Sequence, residues 1–433
     1  MFVLRVLIVG MSAAPFATTA APPATCAHPP CGGAEDAGAL QWHGEMRLRS
    51  LRYAPGPFGA RTDDTYALAR LLGTLHWRGE RASALVQAGL HGEHGRDGGP
   101  GRTDQSALDL QQAWLGWQAG DWHAWAGRQE LAYGSARLLS RRDGPNIRLA
   151  FDGVRVSRSA SAFTLDAFLL RPVENRAGAF DDRADPGQHL WGVYGTRAPG
   201  PADTGLDVYV LGYRRDRARF AVGTGDESRR SVGARVFGQR GQWDWNVEAV
   251  YQWGELRTGP GASLDVRAWT LASDTGYTLR TLAWAPRMSL KVDLASGDAD
   301  AADGRLQTFN ALYPRASYFS ESSLIAPANL LDVQPALTFH PHERAEITVG
   351  WDAVWKHRRA DAVYTTPAPL TVVPGTAGTS WRIGDQFKLE ARYALRPDWE
   401  LLVHLAHFRV GPALREAGSD DTTYAAVTLG WKR

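Results

Sequence analysis

Between positions 242 and 255 the chain reads QWDWNVEAVYQWGE, and its apolar residues take every second place. Trp243, Trp245, Val247, Ala249, Tyr251 and Trp253 alternate with Asp244, Asn246, Glu248 and Gln252. A period of two belongs to a β-strand with one apolar and one polar face. Three tryptophans in one row are bulky for the core of a soluble sandwich. A strand in a membrane barrel shows the same alternation, with lipid on one side and water on the other.

The pattern recurs along the chain. In residues 83–93, Ala84, Val86, Ala88 and Leu90 oppose Gln87, His91 and Glu93. Residues 287–294, 344–356 and 382–395 repeat it with densely charged polar rows, and 422–431 repeats the alternation. Short links such as 120–121, 241 and 396–398 alternate with long ones at 94–106, 133–150, 172–188, 297–328, 358–380 and 411–421. Short turns at one end and long loops at the other are the layout of an outer-membrane barrel. The expected fold is all-β: a transmembrane antiparallel up-and-down β-barrel of about 18 strands over residues 41–433. An even count returns both ends of the sheet to the periplasmic side. Past the first few dozen residues no apolar run approaches the ~20 residues of a membrane helix, and the mean hydropathy is −0.31. The 17 Trp and 13 Tyr suit a surface that is half greasy and half wet.

The N-terminus, MFVLRVLIVGMSAAPFATTAAPPA, reads as a signal peptide over 1–20, cut after Ala20. Residues 21–40 are then a periplasmic tail. In it Cys26 and Cys31 enclose AHPP, either as a small disulfide loop or as two free thiols. No lipobox precedes Cys26. The expected location is the outer membrane of a Gram-negative cell.

The net charge of +2 gives no polyanion-binding bias to the molecule as a whole, although only four of its 48 basic residues are lysine. Arginine's planar fork suits carboxylates and phosphates; a genomic preference for Arg is the plainer explanation. By strand parity the side chains that enter the lumen are Arg155, Arg287, Lys291, Arg344, Lys356, Arg382, Lys388 and Arg392. Arg128 and Glu130 share a face with each other and with Trp122. A ring of such cations favours anions. The same rows hold Asp244, Glu248, Asp293, Glu346, Asp352 and Glu390, which pair with cations and stiffen the wall on the alternative reading. The loop arginines 137, 141, 142 and 148 fold inward as a constriction, meet lipopolysaccharide phosphates, or are simply solvated.

Two segments carry a family resemblance. One contains Gly127-Arg128-Gln129-Glu130-Leu131, Tyr133-Gly134, Arg137-Leu138, Asn146, Phe151-Asp152 and Arg155. The other contains Phe309-Asn310, Leu312, Pro314, Tyr318-Phe319, Pro327 and Asn329-Leu330. In both, the chain resembles the alginate export family of outer-membrane porins. It departs from the family pattern at Ser135-Ala136, where an acidic residue is expected, and at Leu149, where Arg is common. The resemblance implies an Arg-lined pore for an acidic polysaccharide, with Arg128, Glu130 and Arg137 added to the pore-lining set, and a periplasmic export partner. Asn310, Tyr318 and Asn329 are read as packing a long loop. The expected partners are outer-membrane lipid and lipopolysaccharide and an anionic glycan, bound by a monomer; no nucleic acid, metal or cofactor is expected. Nothing marks one serine as a nucleophile beside His340, His342, His404 or His407, so an enzyme is not expected. The alternatives are an uptake channel for small anions or organic acids and, well behind it, a barrel-embedded hydrolase.

Overall fold

The computed structural model describes residues 38–59, 63–200, 204–315, 317–365 and 370–433. The signal-peptide reading and the Cys26–Cys31 loop lie outside the described residues. The rest is one closed antiparallel barrel of 18 strands. The first six are β1 (Leu40–Ala54), β2 (Asp64–Arg78), β3 (Ala82–His94), β4 (Ser106–Ala119), β5 (Trp122–Gln129) and β6 (Phe151–Ala160). Next come β7 (Phe163–Glu174), β8 (Gln188–Arg197), β9 (Thr204–Phe220), β10 (Gly223–Arg240), β11 (Trp243–Gly259) and β12 (Ala262–Thr278). The last are β13 (Arg287–Ala295), β14 (Leu330–His342), β15 (Ala345–Trp355), β16 (Arg382–Arg396), β17 (Trp399–Val410) and β18 (Thr422–Lys432). Each pairs with its neighbour in sequence, and β1 pairs with β18, Leu51 opposite Ala426, to close the ring. Closure leaves no open sheet edge, which hydrocarbon would not tolerate.

Alternation sets the two faces. On β11, Trp243, Val247, Ala249 and Tyr251 are exposed outward, whereas Glu248, Val250 and Gln252 are buried inside. The ten residue steps from Trp243 to Trp253 span about 25 Å along the barrel axis at the usual strand rise and tilt, the height of an apolar membrane band. Exposed Trp42, Trp77, Trp117, Trp122 and Trp243 gather at the end that carries both ends of the sheet. Trp191, Tyr251, Trp269 and Trp351 mark the opposite rim.

The loop layout departs from expectation in one region. β9 and β10, and β11 and β12, are joined by tight turns at 221–222 and 260–261 on the long-loop side. These four strands run 17 or 18 residues. Here extra strand length stands where loops stand elsewhere.

Two glycines are obligatory where β5 meets β6. Gly127 and Gly153 are register partners with φ of +126° and +155°. A Cβ at Gly153 would lie 2.1 Å from the Leu169 carbonyl oxygen. Gly153→Ala therefore forces the backbone to shift at a cost of about 1–3 kcal/mol. The expected result is a lower temperature at which the compact gel band of the folded barrel converts to the unfolded one.

Candidate functional site: a constriction clasped by arginines

Two long loops turn into the barrel. Residues 130–150 leave β5 and residues 296–329 leave β13, and they bind each other through Tyr313 N–H to the Leu138 carbonyl and Arg315 N–H to the Ala136 carbonyl, both at 2.9 Å. Apolar side chains explain why they stay inside. Leu131, Leu138, Leu139, Phe309 and Leu312 are buried against the wall residues Phe168, Leu190 and Tyr209. Polar contacts fix the other side. The Asn310 amide donates to both Glu227 oxygens at 3.1 and 3.2 Å, and Tyr318 donates to Asp293 at 2.7 Å. Asn329 donates to the carbonyls of Arg358 and Ala362.

A charged region forms where loop 130–150 meets β1 and β2. Arg47 and Arg49 lie inward on β1, on either side of the outward Leu48, and Arg70 lies inward on β2. Arg47 donates to the carbonyls of Asp143 at 2.5 Å and Pro145 at 2.6 Å. Arg49 donates to Gly144 at 3.0 Å, and Arg70 to Asn146 at 3.4 Å. Three strand arginines thus hold four consecutive loop carbonyls. The Asn146 amide adds bonds to the carbonyls of Ala69, Gly92 and Asp104.

Two carboxylates complete this clasp. Arg70 contacts Glu45 at 2.7 Å and Asp143 at 2.9 Å. Arg148 contacts Asp143 at 2.6 Å and also pairs with Glu45. The arginines are buried, but the Asp143 side chain is 42% exposed to the water of the lumen. Enclosure by the wall works to raise the Asp143 carboxyl, yet Arg148, Arg70 and Arg47 together hold it well below the usual carboxylate range. The carbonyl contacts of Arg47 are neutral, so they leave its positive charge in place. A guanidinium whose charge is left uncancelled in this way attracts anions.

The parity candidates divide into several groups. Arg155 is buried in the lumen wall, its guanidinium 4.1 Å from the Trp125 ring centre. Lys291 donates to the Tyr318 carbonyl at 2.6 Å, and Lys388 donates to the Phe319 carbonyl at 2.6 Å and forms an ion pair with Asp352 at 3.0 Å. Arg137 pairs with Glu248 at 3.2 Å and binds the Tyr318 hydroxyl. These three cations hold the inward loops. Arg287 meets Asp244 at 2.6 Å, and Arg392 is exposed with Glu400 at 3.7 Å, both in the periplasmic half of the lumen.

Five placements differ from the sequence reading. Arg128 lies in the outward row of Trp122 and Ala126, paired with Asp152 at 2.8 Å and covered by loop 175–187. That loop is docked by the Asp109 carboxylate, which accepts the N–H groups of Asp181 and Asp182. Glu130 does not share the Arg128 face; it follows the end of β5 into the inward loop, 3.9 Å from Arg148 and accepting from Gln111. Arg382 is turned outward because a bulge opposite Val354 and Trp355 shifts the register, burying Ile383 inside and setting Arg382 4.2 Å from the Trp355 ring centre. Lys356 sits just past β15, fully buried, donating to the carbonyls of Arg359, Asp361 and Thr376. Arg344 is exposed in the turn between β14 and β15.

Arg47, Arg49 and Arg70 were not singled out from sequence. The signal was present in EMRLRSLRY at 45–53, where Glu45, Arg47 and Arg49 alternate with Met46, Leu48 and Ser50. Beyond the clasp, toward the outside, a cavity of about 240 Å³ is lined by Arg102, Arg142, Glu174, Arg215 and Tyr313.

Comparison with known proteins agrees with this architecture. A family model described as Alginate export matches residues 41–428. No curated protein matches the sequence. Among solved structures, Acinetobacter baumannii OccAB1 superposes with a TM-score of 0.61 at 10% identity, covering 92% of this chain and 97% of its own. Pseudomonas aeruginosa OccK8 (OprE) gives 0.60 at 11%, covering 91% and 98%. Pseudomonas aeruginosa OccK2 (OpdF), solved in complex with glucuronate, gives 0.57 at 11%, covering 91% and 97%. At these identities the likeness is one of fold.

Proposed function

Because this chain belongs to the alginate export family and is an outer-membrane β-barrel channel, we propose that it conducts an acidic polysaccharide or oligosaccharide, passively, past the clasp of Arg47, Arg70 and Arg148. The observation that carries this reading is the pair of carboxylates, Glu45 and Asp143, each held by both Arg70 and Arg148. A uronate chain presents one carboxylate per sugar. Each arriving carboxylate takes the place of the water-exposed Asp143 on a guanidinium and is handed on, so that binding stays weak enough for release.

A second reading, a channel for small carboxylates, is supported by the two inward loops that narrow the lumen, and by the glucuronate held by the structurally similar OccK2. Single-channel recording in a planar bilayer separates the two. Oligouronates should interrupt the current in events that lengthen with chain length, while uncharged oligosaccharides of the same size leave it unchanged. Equal block by the uronate monomer would favour the small-anion channel.

A further inference from the structure

On the outer face of β7 to β12 the apolar rows end in arginines, with one histidine among them. Arg171 on β7 lies two residues beyond the exposed Leu169, and His189 on β8 two residues from Trp191. Arg214 on β9 is the register partner of His189. Arg230 on β10 and Arg267 on β12 both flank Trp253 on β11. These side chains therefore sit at one height, at the upper limit of the ~25 Å apolar band.

The cluster is short of counter-charge. Arg171 lies 3.3 Å from the His189 ring, and Arg214 stands on its other side with Ser228 as its own next partner. Asp265 pairs with Arg267 at 2.7 Å, and Glu255 with Arg257 at 3.8 Å. Among the described residues, no carboxylate lies within 4 Å of the Arg171, Arg214 or Arg230 guanidinium. An anion at headgroup height can reach them from the membrane side.

We propose that this face binds the phosphorylated headgroup of an outer-leaflet glycolipid. Its phosphates bridge Arg171, Arg214 and Arg230, and its acyl chains lie along Leu169, Trp191 and Val210. Arginine forks grip phosphate bidentately, and Trp at this level anchors the adjoining interface. The effect is to fix the tall β9–β12 wall at one depth in the membrane.

Native mass spectrometry of the purified barrel in detergent tests this, with added lipid A, dephosphorylated lipid A or inorganic phosphate as probes. The unmodified protein should retain lipid A, and the triple variant Arg171→Gln/Arg214→Gln/Arg230→Gln should retain at least tenfold less, with its compact gel band preserved. Arg52→Gln, at another exposed outward arginine, should bind as the unmodified protein does. Equal retention by the triple variant would overturn the proposal. So would equal binding of the dephosphorylated lipid. Saturation by inorganic phosphate, with no added gain from the lipid, would make this a free-phosphate site and overturn the lipid assignment. Comparing the two lipids on the unmodified protein decides the matter even if the variant fails to fold.

Discussion

Replacing Arg70 and Arg148 together by glutamine should move the channel's preference away from chloride and toward potassium. The two guanidiniums hold Glu45 and Asp143 and lie beside Glu130. Removing them leaves Glu45, Asp143 and Glu130 beside Arg47, whose own contacts there are to neutral carbonyls, and Arg49, which is paired with Glu321. A unit charge at about 4 Å is worth about 1 kcal/mol even in water. Loss of two therefore weakens anion preference by about tenfold or more. The variant should also conduct more, because Arg70 no longer reaches the Asn146 carbonyl. Asp143→Asn should act in the opposite direction, raising anion preference while leaving the arginines in place. Reversal potentials and unit conductances of the two variants, read in the same bilayer, check both signs.

The second large effect concerns stability. Arg229 and Glu227 are both fully enclosed, with Nε and Oε1 2.6 Å apart. Arg229 also donates to Gln252 at 2.8 Å and to the Thr308 carbonyl at 3.1 Å, while Asn310 donates to Glu227. The pair thus ties β10 to the second inward loop. Arg229→Met leaves a buried carboxylate with only neutral donors and should destabilise the barrel by about 3–5 kcal/mol. Glu227→Gln/Arg229→Met removes both charges and should recover most of that loss. Urea titration of the barrel in lipid vesicles, followed by tryptophan fluorescence, measures each. Comparable losses in the single and double variants would show that packing, not charge, governs this position.

These residues also show what could be read from the chain alone. Period-two alternation depends only on which side of a strand faces lipid, so 83–93 became Ala82–His94 and 422–431 became Thr422–Lys432 with little change. Parity correctly turned Lys291 and Lys388 inward. It failed at Arg382, because the register shift beside Trp355 leaves no mark in the alternation itself. Arg128 was misread for a different reason: its partner Asp152 and the covering loop lie on the outside of the wall, where a charge is not expected. The inward row of Glu45, Arg47 and Arg49 was legible in the alternation, but what it clasps was not, since Arg47 and the Asp143 carbonyl are 96 residues apart in sequence. Strand direction is a local property. The target of an arginine is set by which loop folds back onto it.

The most direct test of the central claim is the reversal potential of the unmodified protein in a planar bilayer under a potassium chloride gradient. If Arg47, Arg70 and Arg148 set the field at the constriction, the potential will have the sign of chloride preference, and added oligouronate will block the current reversibly. A potential with the sign of potassium preference, together with indifference to oligouronate, would contradict the account. The arginines would then serve only to hold the loop in place.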